Sequence, residues 1–188
     1  MKIYACADIH GFPERVQRVR ELVRQLSPDV VILAGDLTHA GRGRDVLDLL
    51  NEFTCAVLAI PGNMDPPFVA KAIAESKAKD ILTDVVQVQG VLFCGPDAPI
   101  ERCDVLVAHE PPYGVLDTIP TGRHIGSSKV AHAVERLRPR VMVCGHVHES
   151  PGVAKLGETT VVNCTMGDGI HGGASIILGE EAVEVTLL

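Results

Sequence analysis

Five apolar runs in this chain each give way to residues that bind metals. KIYACA is followed by Asp8 and His10, VVILA by Gly35 and Asp36, CAVLAIP by Gly62 and Asn63, VLVA by His109, and VMVC by Gly145, His146 and His148. A short apolar run bounded by turn residues reads as a buried strand. In a sheet of parallel strands, the loops at the C-terminal strand ends meet along one edge, where ligands bind. Residues as far apart as 8 and 148 can therefore meet. Two carboxylates and four histidines gathered there are costly to bury unless they are paired or hold a cation. With the amide oxygen of Asn63 they form a donor set for two divalent metal ions. Manganese is the first choice; iron, zinc, nickel and cobalt also suit carboxylate and imidazole. Gly35, Gly62 and Gly145 permit sharp turns and close backbone approach at the strand ends.

The elements that must position these residues follow from periodicity. Residues 13–26 place Val16, Val19, Leu22, Val23 and Leu26 at helical spacing, with Pro13 in the first turn. A second helix is expected over 43–52. A third starts near 66, with Asp65 as its N-cap and Pro66 at its first position. Residues 84–95 read as a hairpin turning at Gln89-Gly90. Residues 127–138 fit a helix capped by serine. After 152 the runs GVAKL, TTVVNC, ASIILG and AVEVTLL give short strands, the last of them in antiparallel hairpins. Alternation of strand and helix at the start argues a parallel sheet with covering helices, and the extra strands supply a second sheet stacked on it.

Composition narrows the function classes. A chain of 188 residues with 46% apolar content suits one domain, 1–188, with one sizeable core. No apolar run approaches membrane-spanning length, and the N-terminus does not read as a signal peptide, so a cytoplasmic protein is expected. The net charge of −7 disfavours a broad nucleic-acid-binding surface. Six cysteines lie in or beside apolar segments without a CxxC pair, and read as buried free thiols.

The ordered series Asp8-x-His10, Gly35-Asp36, Gly62-Asn63, His109 and Gly145-His146-x-His148 resembles the calcineurin-like metallophosphoesterases. HEPPYG and GHVHE look closest to the small Icc-related phosphoesterases within that family. The resemblance implies an α/β fold of two facing mixed sheets flanked by helices, in four layers. It implies that Asp8, His10, Asp36 and His148 bind one ion, and that Asp36, Asn63, His109 and His146 bind the other, with Asp36 bridging. Asp36, Asn63 and His109 would then serve catalysis by placing metal and phosphate. The chemistry implied is phosphoester hydrolysis by a bridging water whose acidity the two cations raise.

One position departs from the family pattern. Relatives often carry histidine after Gly-Asn, where it assists the leaving group; here the residue is Met64, and a thioether donates no proton. Because alkoxides leaving from monoesters need that proton most, phosphodiesters or activated aryl esters are the expected substrates. Nucleotide diesters, cyclic nucleotides and lipid-derived diesters are all compatible. The alternative is a scaffold of the same fold that works through protein contacts, as a retromer subunit similar to this family does.

Further candidates are secondary. His39, in GDLTHAG, is a candidate catalytic residue that would contact substrate or support the site, the alternative being a solvent-facing loop histidine. Arg123 and His124 precede the helix at 127, whose first N–H groups suit either an anion or, the preferred reading, capping by Ser127. His132 reads as structural or exposed. Pro111, Pro112 and Tyr113 would stiffen the loop after His109 and wall a pocket. GDGIHGG lacks the lysine of a phosphate-binding loop, although His171 could reach the cleft. The HxHxDH pattern of metallo-β-lactamases fails at Ser150 and Pro151.

Overall fold

A computed structural model describes residues 1–82, 84–167 and 171–188. The chain opens with β1 (Lys2–Cys6), α1 (Pro13–Leu26) and β2 (Val30–Ala34). Helix α1 buries Val16, Val19, Leu22 and Val23 and stops at Ser27, whose left-handed backbone returns its N–H to Val23. The helix expected over 43–52 is instead a 3-10 turn, Arg44–Asp48, running into one short α-turn, α2 (Leu49–Glu52). The segment starts at left-handed Gly43 without a side-chain cap. Then come β3 (Ala56–Ile60), α3 (Pro67–Glu75), and a two-residue strand, β4 (Lys79–Asp80), with no counterpart in the sequence reading.

Helix α3 corrects the expected cap. Pro66, in an extended conformation, occupies the N-cap, one position later than expected, and no side chain caps the helix. The Asp65 carboxylate is committed to the Leu37, Thr38 and Gly62 backbone instead.

The second half begins with the hairpin β5 (Val85–Val88) and β6 (Val91–Cys94), which turns through Gln89 and Gly90 at φ 48° and 86°. Both central residues are left-handed, as a tight hairpin turn demands. Strand β7 (Val105–Val107), α4 (Ser128–Leu137), β8 (Val141–Cys144), β9 (Gly152–Leu156), β10 (Thr159–Asn163), β11 (Ala174–Leu178) and β12 (Val183–Leu187) complete the order.

Two six-stranded mixed sheets result, ordered β12-β11-β1-β2-β3-β4 and β5-β6-β7-β8-β10-β9. Strands β1, β2, β3 and β4 are parallel, as are β6, β7, β8 and β10; β5, β9, β11 and β12 pair antiparallel. Alternation sorts each strand between two cores. Ile3, Ile32, Leu58, Val105 and Val143 face the space between the sheets. Tyr4, Leu33 and Ala59 face α1 and α3, whereas Leu106 and Met142 face α4. The layers are thus helices, sheet, sheet, helix, the expected α/β arrangement.

Register places the strand ends level, with Cys6 opposite Leu33, Ala34 opposite Ile60 and Val107 opposite Val143. At that edge the sheets are joined, because Ala7 bonds to Cys164 and Met166, just beyond β10. All six cysteines are free, and five are buried. No helix among the described residues is long and apolar enough to cross a membrane.

Candidate metal centre

The loops at this edge are bonded to one another. Asp8 N–H donates to Gly35 O, His10 N–H to Asp36 O, and Gly145 N–H to His109 O. Backbone conformation is unusual at the same place. Asp8, His10, Asp36 and His146 are left-handed, with φ of 61°, 53°, 51° and 69°. Each such residue costs about 1–3 kcal/mol, and strain of this kind gathers where side chains must be aimed. Close approach explains the glycines: a Cβ on Gly35 would collide with the His109 ring, on Gly62 with the Asp36 carboxylate, and on Gly145 with Asp8.

All seven residues singled out by the strand-end pattern converge. Asp8, His10 and His148 offer ligand atoms within 4.8 Å of one another, and so do Asp8, Asp36 and His109. Asp8 is common to both groups; Asp36, the bridging residue implied by the family resemblance, lies in the second. Asn63 Oδ1 stands 3.0 Å from His109 Nε2 and 2.9 Å from His146 Nδ1.

The polar atoms are arranged for a cation. Asp8 is fully buried; its Oδ2 accepts from His146 N–H at 2.9 Å. Its Oδ1 lacks a well-formed hydrogen bond but stands 3.4 Å from His148 Nε2, and His10 Nδ1 has no hydrogen-bond partner among the described residues. His109 Nδ1 must donate to Ala34 O at 2.9 Å, because a carbonyl only accepts. In the neutral ring, Nε2 then carries a lone pair toward Asn63 Oδ1 and, at 3.4 Å, Asp36 Oδ2. His10 Nε2 lies 3.3 Å from His148 Nε2. At His109 an acceptor faces acceptors, which calls for a proton or a metal ion between them; between His10 and His148 either nitrogen can donate, according to tautomer.

The electrostatics at Asp8, His10 and His146 favour the forms that bind metal, whereas His109 holds its proton more tightly. Burial alone would raise the Asp8 pKa, but hydrogen bonding and charge from His148 and His109 hold it below the usual carboxylate range. Burial lowers His10 and His146, favouring neutral imidazoles. For His109 burial also pulls downward, but Asp36 and Asp8 outweigh it and raise the pKa. Ionised carboxylates and neutral imidazoles are the forms that bind metal.

Beside the centre lies an open cavity of about 370 Å³. His39 and Met64 line it together with His10, Asp36, Asn63, His146 and His148; Phe12 and Arg15 complete its wall. Met64 also fixes the site through its backbone, donating N–H to Asp36 Oδ1 at 2.7 Å. A second cavity of about 360 Å³ adjoins it, sharing Asn63 and lined also by His109, Glu110 and Lys129.

Other sequence candidates lie elsewhere. His124 donates from Nδ1 to the buried Asp117 carboxylate at 2.6 Å, tying down the loop after His109. Gly126 N–H also serves Asp117, and Ser127 N–H serves Pro111 O, so those donors are not open to an anion. Ser127 caps α4 through Val130 N–H. Arg123, His132 and His171 are exposed and do not line the cavity. Residues 168–170, in the glycine-rich stretch, lie outside the described residues. Pro111 and Pro112 are buried, but Tyr113 is 55% exposed against His124 and walls neither cavity beside the centre.

Three site-forming residues escape the sequence reading. Asp65 accepts four hydrogen bonds that join the loops of Asp36 and Asn63. Arg15 donates to Asp8 O and Gly167 O and lies against the Phe12 ring. Arg15 looks like any charge on the polar face of α1, and Phe12 like a residue leading into that helix.

Comparison with known proteins agrees with this architecture. A protein of Methanocaldococcus jannaschii, MJ1162, itself uncharacterized, is 29% identical, with 87% of each chain covered. TT1561 of Thermus thermophilus shares the fold with a TM-score of 0.71 at 17% identity, over 99% of this chain and 98% of the other. An archaeal phosphodiesterase shares it with a TM-score of 0.62 at 18% identity, over the whole of both chains. The sequence profile of the calcineurin-like phosphoesterases matches residues 1–150, and the chain, with its candidate metal-binding residues at the matched strand ends, belongs to that family of divalent-metal-dependent phosphoester hydrolases.

Proposed function

We propose that the chain hydrolyses phosphodiesters at a centre of two divalent ions, manganese foremost, held by Asp8, His10, Asp36, Asn63, His109, His146 and His148. The observation that carries this reading is the convergence of these seven residues, with buried Asp8 Oδ1 3.4 Å from His148 Nε2 and buried His10 Nδ1 without a hydrogen-bond partner among the described residues. When bound, the ions supply an acidified water and neutralise charge on the phosphoryl oxygens. The chain does the rest. Asp8 and Asp36 hold negative charge where cations are needed, and the Ala34 carbonyl fixes the His109 tautomer. Met64 N–H orients Asp36.

The preference for diesters rests on two features. Met64, on the cavity wall, cannot protonate a leaving alkoxide; among the described residues on that wall, His39 is the one ring outside the seven that can carry a proton. The two cavities meet at Asn63, so an ester arm has room on either side of it. Nucleotide diesters and cyclic nucleotides fit this description. Six free thiols suit the reducing cytoplasm.

The test is a substrate panel on metal-stripped protein reconstituted with each ion in turn. Bis(4-nitrophenyl) phosphate should turn over faster than 4-nitrophenyl phosphate, and a simple alkyl monoester should be slowest. Inertness with every ion would favour the scaffold reading; faster alkyl monoester cleavage would overturn the diester preference.

A further inference from the structure

Phe12 has no structural explanation in the core. It belongs to none of the three apolar clusters among the described residues and is 41% exposed, on the wall of the cavity beside the metal centre. A large apolar side chain left in solvent next to a polar site is more informative than one left on an open surface.

Its position is held firmly. Phe12 is the N-cap residue of α1, and its carbonyl accepts from Arg15 and Val16 N–H. The Arg15 guanidinium lies 4.8 Å from the ring centroid while donating to Asp8 O and Gly167 O. The ring is thus braced by a cation that is itself tied to the loop of Asp8. The His10 and His39 rings each lie 6.4 Å from it, centroid to centroid. The preceding residue, Gly11, packs its backbone against Gly43, which fixes the loop beneath.

A braced, exposed ring of this kind is a surface for stacking a planar group. We propose that Phe12 is a binding platform for an aromatic ring on one arm of the substrate, so that the preferred diesters carry a nucleobase or aryl group within reach of the phosphorus. The inference rests on the phosphodiesterase reading and narrows its substrate class. It also assigns the side of Asn63 on which that arm lies, the cavity walled by Phe12, His39 and Met64.

The leaving group must be held constant in the test, because an aryl leaving group speeds hydrolysis without any stacking. We would compare kcat/KM for 4-nitrophenyl phosphodiesters whose retained arm is phenyl, thymidine-5′-yl, cyclohexyl or methyl. Phenyl and thymidyl arms should exceed cyclohexyl and methyl by roughly 5- to 150-fold, the range for one stacked ring. Phe12→Ala should collapse that ratio and Phe12→Tyr should keep it, while Tyr113→Ala, outside both cavities, should leave it at the wild-type value. A parallel titration compares phenylphosphonate with methylphosphonate, neither of which can be hydrolysed. An equal preference for all arms, or an aromatic preference that survives Phe12→Ala, overturns the platform. No turnover of any ester, with phenylphosphonate still preferred and that preference lost in Phe12→Ala, removes the hydrolase reading and leaves the platform standing. The thymidyl and phenyl arms separate a nucleobase site from a general aryl site, both of which the platform accepts.

Discussion

Substituting Asp65 with asparagine probes how the ligand loops are held. Its Oδ2 accepts from Leu37 N–H at 2.9 Å and Gly62 N–H at 3.0 Å; its Oδ1 accepts from Thr38 N–H and the Thr38 hydroxyl, both at 2.8 Å. One carboxylate therefore links the residues that follow Asp36 to the turn that presents Asn63. In Asp65→Asn only one oxygen remains. The better orientation turns the amide NH₂ toward Thr38, whose hydroxyl can rotate to accept, but Thr38 N–H then faces a donor. A backbone donor stripped of its partner costs about 1–3 kcal/mol. The bonds that survive lose their charge assistance, roughly half their strength. Together these suggest about 3 kcal/mol, or a fall in Tm of roughly 6–12 °C for a domain of this size. Loss of a supporting contact behind metal ligands typically weakens metal binding by about 10- to 100-fold. Thermal melts of the metal-free protein and isothermal titration with Mn²⁺ measure the two effects. A Tm within about 1 °C of wild type, together with unchanged Mn²⁺ affinity, would refute the view that Asp65 frames the site.

Four other outcomes are expected. Gly62→Ala, whose Cβ would strike the Asp36 carboxylate, should lose most Mn²⁺ binding by titration, with a smaller change in far-UV circular dichroism. Met64→His, which places a proton donor on the cavity wall, should raise alkyl monoester turnover by up to about 10²-fold, read from phosphate release. Chelation should lower Tm by roughly 8–16 °C from its value with Mn²⁺ about 1,000-fold above Kd, since such binding contributes about 4 kcal/mol. Finally, burial would raise the Asp117 pKa, but His124 and the Gly114 and Gly126 N–H groups outweigh it and hold the pKa below its ordinary value. A depressed carboxylate stabilises the fold above its unfolded pKa, about 4, and that contribution fades as pH falls through the folded value. The Tm gap between wild type and Asp117→Asn should therefore be full at pH 6 and shrink progressively below about pH 4.

The legible parts of this fold are those written in local patterns. The α1 stripe of Val16, Val19 and Leu22, the left-handed pair Gln89-Gly90 and the serine before α4 all act on neighbours a few residues away. The strand-end residues were legible for a different reason: parallel strands deliver their C-terminal ends to one edge, so residue type and position sufficed to expect Asp8 and His148 together. What stayed hidden depends on distant partners. Asp65 reads as a helix cap because its true partners, Leu37 and Thr38, are 28 and 27 residues away. Asp117 is hidden for another reason: its partners Gly114, His124 and Gly126 are only 3, 7 and 9 residues away, but they lie in an irregular loop with no period to read. Nor does any local pattern say that β11 joins β1 or that β10 lies between β8 and β9.

The contact between Gly11 and Gly43 has one further consequence. Both residues are left-handed, and a methyl group on either would meet the other's main chain. Two ribbons of peptide are thus clasped with nothing between them, one leading from His10 to Phe12 and the other returning from His39. A contact this close couples the two loops sterically, so neither can shift toward the other without a clash. Side chains at 12 and 39 can then be exchanged while the clasp keeps the loops beside the candidate metal centre in place.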